Sequence, residues 1–425
     1  MLDVKLKETF LDILKEELVP AMGCTEPIAL AYAAAQGRRI LGREPEKLIA
    51  RCSGNIIKNV RCVIIPKSGG MTGIEAACVL GAAAGDPDGE MEVLERVTDE
   101  DRKHAGTLLA AGVCSVEFLE SDIPLHFILE LFSGEDKVTV EVQNAHTNIV
   151  LITKNGKIYY EKPEKLARTG HRTDRKLLSI ENIKTFADEV EHALICDIFE
   201  RQVRYNMGIA YESLSGNYGL NIGRTIQKAY ADSTVTRMKA YTAAASEARM
   251  GGCDMPVIIN SGSGNQGIAS SVPVIVYAGE NNIPIEKMHR ALAFSALLTI
   301  FQKEFIGKLS AFCGAVSASA ASAAAITYLS GGSIHEIKAT IDNTLADIPG
   351  IICDGAKISC AAKIASGLDA AMMAHYLAMQ GKKYRANTGI IKENTDETIA
   401  SVGHIGKVGM RETDKEIIKL MLKKG

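Results

Sequence analysis

The hydrophobic pattern changes character once along this chain, and that change limits the fold more than any other feature. Residues 112–161 read as strands at Val113–Leu119, Leu125–Phe132, Lys137–Gln143 and Asn148–Lys154. Asn155-Gly156 is a strong hairpin signal, because both residues tolerate the backbone of a tight turn, and Ile158-Tyr159-Tyr160 follows as a further strand. Beyond Arg175 the apolar spacing turns helical. It predicts helices near residues 179–205, 221–250, 285–301, 309–329, 333–345, 356–379 and 412–423. Between the two regimes, Lys162 to Arg175 is rich in Lys and Arg, holds Pro163, Gly170 and His171, and has few apolar anchors. With 425 residues, the chain is also too long for one ordinary core. The expected architecture is an α+β domain over residues 1–165, then a mostly α-helical domain over residues 166–425, with the functional site between them.

The N-terminal part starts with an amphipathic helix, apolar at Val4, Leu6, Phe10, Leu11, Ile13, Leu14 and Leu18, and Pro20 ends it. After a short loop, Thr25 and Glu26 open a second helix with Pro27 in its first turn and an Ala-rich body to Gln36. Cys24 therefore stands at or just before a helix N-terminus, where partial positive charge stabilises a thiolate. The plainer reading is a capping-region cysteine of no consequence. Residues 47–65 read as strand, turn and strand, with Cys52 and Cys62 as structural cysteines. Pro66 to Gly73 is a Gly-rich loop before a helix holding Cys78. Such a loop presents backbone N–H groups to an anion, or is simply a strand-to-helix turn; it lacks the order of a nucleotide-binding P-loop.

Three cysteines mark the C-terminal half: Cys313, then Cys353 forty residues later, then Cys360 after seven more. No C-x-x-C pair occurs, so the usual structural-zinc spacing is missing. Three thiolates without an evident fourth suit a [4Fe–4S] cluster with one iron free for a substrate. Burial as core filler is the competing reading, above all for Cys313 in its Ala-rich run. Two polar stretches complete the set. Asn144 to Asn148 interrupts the strands with His146, and Asn260-Ser261-Gly262-Ser263-Gly264-Asn265-Gln266-Gly267 separates two apolar runs. Both supply neutral hydrogen bonds, and both are also ordinary turn chemistry. Ser401 to Met410 reads as a late Gly-spaced loop able to cover a site.

Composition excludes several functions. The net charge of −3, the absence of Trp and an aromatic content of 5% give no sign of a nucleic-acid partner. Leu309–Leu329 is long enough to span a bilayer, but it is built of Ala and Ser, whose insertion is poor, so a buried helix is expected and no membrane partner. The first residues mix charge with apolar groups, unlike a secretory signal. Ten cysteines without such a signal point to a reducing cytoplasm.

The segments Gly-Lys-Leu-Ser-Ala-Phe-Cys-Gly-Ala-Val-Ser-Ala (307–318) and Pro-Gly-Ile-Ile-Cys-Asp-Gly-Ala-Lys-Ile-Ser-Cys-Ala-Ala-Lys (349–363) resemble the iron–sulfur L-cysteine desulfidases, or cysteine desulfhydrases. That family is related to the alpha chain of iron–sulfur L-serine dehydratases. Met-Gly-Cys-Thr-Glu-Pro-Ile-Ala (22–29) and Ser-Gly-Ser-Gly-Asn-Gln-Gly (261–267) look like the same family, and the likeness runs from about residue 8 to residue 422. The resemblance implies a [4Fe–4S] cluster on Cys313, Cys353 and Cys360, with Cys24 as the catalytic base. The implied reaction is α,β-elimination of L-cysteine to hydrogen sulfide, ammonia and pyruvate. Thr25, Glu26, Ser68, His146, Ser261, Ser263 and Asn265 are the candidate substrate contacts. L-serine dehydration on the same cluster, a non-catalytic iron–sulfur amino-acid sensor, and a pyridoxal-phosphate enzyme using Lys67 or Lys357 stay open, as does a homo-oligomer.

Overall fold

A computed structural model describes residues 3–163, 173–307 and 309–422. The chain opens with α1 (Val4–Glu17), β1 (Pro20–Met22) and α2 (Thr25–Leu41), and continues through β2 (Lys47–Cys52), α3 (Gly54–Val60), α4 (Gly73–Ala84) and α5 (Asp99–Ala110). It then forms β3 (Cys114–Phe118), β4 (His126–Ser133), β5 (Asp136–Gln143), β6 (Ile149–Lys154) and β7 (Lys157–Glu161). From Ile180 it is helical apart from one short strand. The elements are α6 (Ile180–Glu189), α7 (Cys196–Ser215), α8 (Ile222–Ala229), α9 (Thr234–Met250), β8 (Pro256–Ile258), α10 (Gly264–Glu280), α11 (Ile285–Ile306), α12 (Gly314–Leu329), α13 (Ile334–Asp347), α14 (Cys360–Met379), α15 (Thr395–His404) and α16 (Arg411–Leu422).

The larger sheet has the order β3-β2-β4-β5-β6-β7, with β2 and β3 parallel and the other pairs antiparallel. Val138, Val140 and Val142 on β5 face Leu131, Leu129 and Phe127 on β4, and all six are buried. The alternation of β5 thus sets the register, since a one-residue slip would turn its valines to water. Helix α2 covers this face so closely that a Cβ on Gly37 would lie 2.5 Å from Leu131. Helix α4 crosses α2 with Gly81 against the Ala31 backbone, where a Cβ would sit 2.3 Å from the carbonyl oxygen. Small residues at these crossings are what allow two helix layers over one sheet.

In the helical part, α12 is buried from Ala315 to Thr327 and packs against α10, α11, α13 and α14. Its Ala and Ser side chains let four neighbours approach one axis, which accounts for a membrane-like composition in a packed helix. Among the described residues no helix is long and apolar enough to cross a membrane.

The structure departs from the sequence reading in several places. Residues 54–60 form α3 and not a second strand, because Ile56, Ile57 and Val60 share one helical face and bury it; Cys62 lies in the turn beyond and is exposed. The expected helix at 179–205 is split before α7. The one at 221–250 is split at Ser233, which caps α9 by accepting from the Thr236 N–H at 3.1 Å. Ser401–Met410 is helical: α15 runs on into a π-helical turn at Ile405–Gly409. Helices α5, α10 and α15 were not expected. The boundary near residue 165 lies outside the described residues.

The two halves interlock. Helix α1 packs on α6 and α11, α16 packs on α3, and β1 pairs antiparallel with β8. One apolar core runs continuously from Leu6 to Val402.

This core holds two neutral histidines with a measurable consequence. Burial pushes His375, beside Thr327, and His289, beside His192, down to about 4 from the usual 6.5. Between those values the unfolded chain binds more protons, so stability rises with pH across the window and is lost as pH falls through it. Each histidine contributes about 1.4 kcal/mol per pH unit crossed. The urea midpoint should therefore drop between pH 6.5 and pH 4, and the drop should shrink in the double variant H289Q/H375Q. An equal drop in both proteins would contradict this assignment.

Candidate active site

Cys24 is the N-cap of α2, its backbone extended at φ −78° and ψ 136°. The preceding Gly23 has φ +55°, and a Cβ there would lie 2.1 Å from Pro66, so only glycine lets the 66–73 loop close against this turn. The Cys24 thiol donates to Glu26 Oε2 at 3.1 Å. Thr25 Oγ1 donates to the same oxygen at 3.1 Å, and Asn59 Nδ2 donates to Oε1 at 3.2 Å. Cys24, Thr25 and Glu26 are all buried. Burial first and the Glu26 carboxylate second push the thiol well above its ordinary range, with Arg249 opposing them. The sequence argument that a helix N-terminus lowers this thiol is thus outweighed. A helix end supplies about 0.3–1 kcal/mol, whereas full burial moves an ionisable group by several pKa units.

Cys313 and Cys353 are joined through the backbone. The Cys313 N–H donates to the Ile351 carbonyl at 2.8 Å and the Cys353 N–H to the Ala311 carbonyl at 2.7 Å, around an antiparallel bridge between Phe312 and Ile352. Strand alternation puts Cys313 and Cys353 on one face of this bridge and Phe312 on the other. Phe312 is backed by Gly350, where a Cβ would lie 2.6 Å from the ring, and by Gly406 of the π-helical turn. The 401–410 stretch therefore supports the bridge from behind. The Cys313 thiol donates to Cys353 and, with Lys58 and Lys363, holds Cys353 below the usual thiol range despite burial.

Cys360 opens α14 and is within electrostatic reach of both. Between Cys353 and Cys360 the chain turns at Gly355, φ +98°, where a Cβ would meet the Lys58 carbonyl oxygen at 2.3 Å. Lys58, buried and paired with Asp414 at 2.5 Å, also reaches the Cys353 carbonyl at 3.4 Å. Asp354 is opposed by burial but held at about 2 by Lys357 and Lys363. Lys67 pairs with Asp254 at 3.6 Å, so both lysines considered for a pyridoxal cofactor are engaged in ion pairs.

The two cysteine groups meet. Cys24 and Cys360 belong to one buried cluster with Val63 and Met250, bordered by Ala356 and Ile358. The starts of α2 and α14 enter it through Cys24 and Cys360, and Cys313, the residue before α12, is within electrostatic reach of Cys360. A Cβ on Gly314 would lie 2.5 Å from Gln266 Oε1, which ties the first turn of α12 to that of α10.

The remaining candidates fall as follows. His146 is buried against Gly262, where a Cβ would lie 3.0 Å from its Cε1. Ser261, at φ +49°, donates to Asn260 Oδ1 at 2.8 Å. Ser263 caps α10 through the Gln266 N–H at 3.4 Å, and Asn265 Oδ1 accepts from Ser246 at 3.0 Å. Ser68 is buried, and its hydroxyl donates to the Met71 carbonyl at 3.3 Å within its own loop. Sequence reasoning missed Asn59, Lys58, Lys363 and Arg249, and it held Gln266 only as part of the 260–267 polar stretch. Arg249 had one signal, a cation in the small-residue stretch of α9.

Among the described residues no three His, Cys, Asp or Glu side chains are arranged to hold a single metal ion. A cluster is a different demand, because each thiolate binds a different iron and the sulfurs need not converge on one point. The thiol set fits such a group in kind: three cysteines within electrostatic reach of one another, one held toward its thiolate, with Lys58, Lys363 and Arg249 as nearby cations. All ten cysteines are free.

Residues 88–419 match the family described as serine dehydratase alpha chain. Curated relatives cover nearly the whole chain. A UPF0597 protein of Lachnoclostridium phytofermentans is 47% identical over 413 residues, 97% of this chain and 99% of its own. One of Treponema denticola is 47% identical over 428 residues, 99% of each chain. One of Vibrio campbellii is 38% identical over 419 residues, 97% of this chain and 98% of its own.

Proposed function

The chain belongs to the iron–sulfur serine dehydratase alpha-chain family, a family of lyases, and from that premise we propose that it is an L-cysteine desulfidase. The observation that carries this reading is the meeting of Cys24, hydrogen-bonded to Glu26, with Cys360 of the C-terminal trio in one buried cluster. A [4Fe–4S] cluster on Cys313, Cys353 and Cys360, with one iron free of protein ligand, would supply Lewis acidity toward the departing sulfur. The work of the chain is proton handling. Glu26 takes the thiol proton of Cys24 at the 3.1 Å contact, and the thiolate takes the proton from the substrate Cα. The electron pair of the C–H bond forms the new double bond as the C–S bond breaks and sulfide leaves. Aminoacrylate tautomerises to the imine, and water converts it to pyruvate and ammonia. Thr25 and Asn59 fix the Glu26 carboxylate so that one oxygen stays on the thiol. His146, Ser68, Ser261, Ser263 and Asn265 remain candidate substrate contacts. We assign the site to the junction of a unit ending near residue 165 and a helical unit from 166, in an enzyme of the reducing cytoplasm.

L-serine dehydration is the second reading, favoured by the description of the matching family. An anaerobic assay of sulfide, ammonia and pyruvate from L-cysteine and L-serine, side by side on reconstituted protein, separates the two. The first reading expects the larger kcat/KM with L-cysteine. Pyruvate from L-serine without sulfide from L-cysteine would establish the second, and no product from either would overturn both.

A further inference from the structure

Arg249, in the last turn of α9, is 3% exposed, and its Nε has no hydrogen-bond partner. Its one described polar contact is a 4.0 Å approach of Nη1 to the sulfur of Met250. Among the described residues no carboxylate forms an ion pair with it. A buried guanidinium without an anion is costly, and a fold retains one where an anion arrives. The position of the group says which anion. A Cβ on Gly264 would lie 2.2 Å from Nε and 2.6 Å from Cζ, so the guanidinium rests on the first residue of α10, a seventeen-residue helix whose leading N–H groups favour negative charge. Its charge is felt at both Cys24 and Cys360. Two residues into α10, the buried Gln266 has an unpartnered acceptor, Oε1. A fork-shaped cation from α9 resting on the first turn of α10, and a free acceptor in that turn, match the two ends of an α-amino-acid zwitterion.

We propose that Arg249 binds the α-carboxylate of the substrate, with Gln266 Oε1 facing the α-ammonium group, an assignment that rests on the elimination reading for its choice of ligand. Gly264 is then part of the specificity device, because any side chain there would displace the guanidinium.

The test uses anaerobically reconstituted wild-type, R249Q and R249K proteins. Iron content, steady-state constants, and calorimetric binding of L-alanine and L-alaninamide are measured; neither probe has a leaving group. Wild-type protein should bind L-alanine roughly 10- to 100-fold more tightly than the amide, which lacks the carboxylate charge. R249Q should raise KM by a similar factor and abolish the acid-over-amide preference while keeping its iron, and R249K should recover part of the preference. Unchanged KM and preference in R249Q would overturn the assignment, as would loss of iron in both variants, which would make Arg249 a support of the cluster site. Wild-type protein that takes both probes equally, or neither, would also overturn it. Arg249-dependent binding in a wild-type protein without turnover would sink the elimination reading alone. Intact turnover with R249Q unaffected would sink the Arg249 assignment alone.

Discussion

Replacing Cys353 by Ala should strip the protein of iron. Cys353 sits beside Cys313 on one face of the 311–353 bridge, and of the two it is the sulfur held toward its thiolate, by Cys313, Lys58 and Lys363. Thiolates are the groups that bind cluster iron, so losing one of three leaves too few anchors. After anaerobic reconstitution the wild-type chain should carry roughly four iron atoms and C353A close to none. Sulfide release should fall below detection, with the far-ultraviolet circular dichroism unchanged. Cys62 provides the control: its side chain is exposed in the turn after α3, and C62A should keep both iron and activity. Wild-type iron content in C353A would remove the metal half of the account.

The second large effect separates proton transfer from metal binding. C24A should hold its full complement of iron and lose roughly 10²- to 10⁴-fold in kcat, the usual contribution of a positioned acid–base group. E26Q keeps the shape of the hydrogen-bonding group but cannot accept the thiol proton as a carboxylate does, so it should also slow turnover with iron intact. The split is informative because Cys24 and Cys360 share one apolar cluster, and a purely structural Cys24 would disturb both properties together. Sulfide release from C24A at the wild-type rate would exclude it as the base.

The fold was legible wherever its signals were local. The strands from Val113 to Lys154 and the Asn155-Gly156 turn follow from residue types that decide their own conformation, and β4 to β7 lie within a residue or two of the expected spans. The motif segments around Cys24, Cys313, Cys353 and Cys360 were enough to point to the family. The rest depends on burial across long separations. Helix α3 looks like a strand because Ile56, Ile57 and Val60 are β-formers, and only packing makes them helical. The raised Cys24 thiol could not be foreseen, because its largest cause is burial, and the residues that bury it include Met250 and Cys360, more than two hundred residues away. The role of Arg249 likewise depends on α9 burying it against Gly264, a contact that no local signal gives.

The central claim is an iron site open to the amino acid, held by Cys313, Cys353 and Cys360 beside Cys24. Its most direct test is the Mössbauer spectrum of anaerobic, ⁵⁷Fe-reconstituted protein recorded with and without L-cysteine. The account predicts that about one quarter of the iron signal, one site in the cluster, changes its parameters when the amino acid is added, and that the rest stays put. A protein that takes up no iron, or a cluster whose sites are all indifferent to the amino acid, would contradict it.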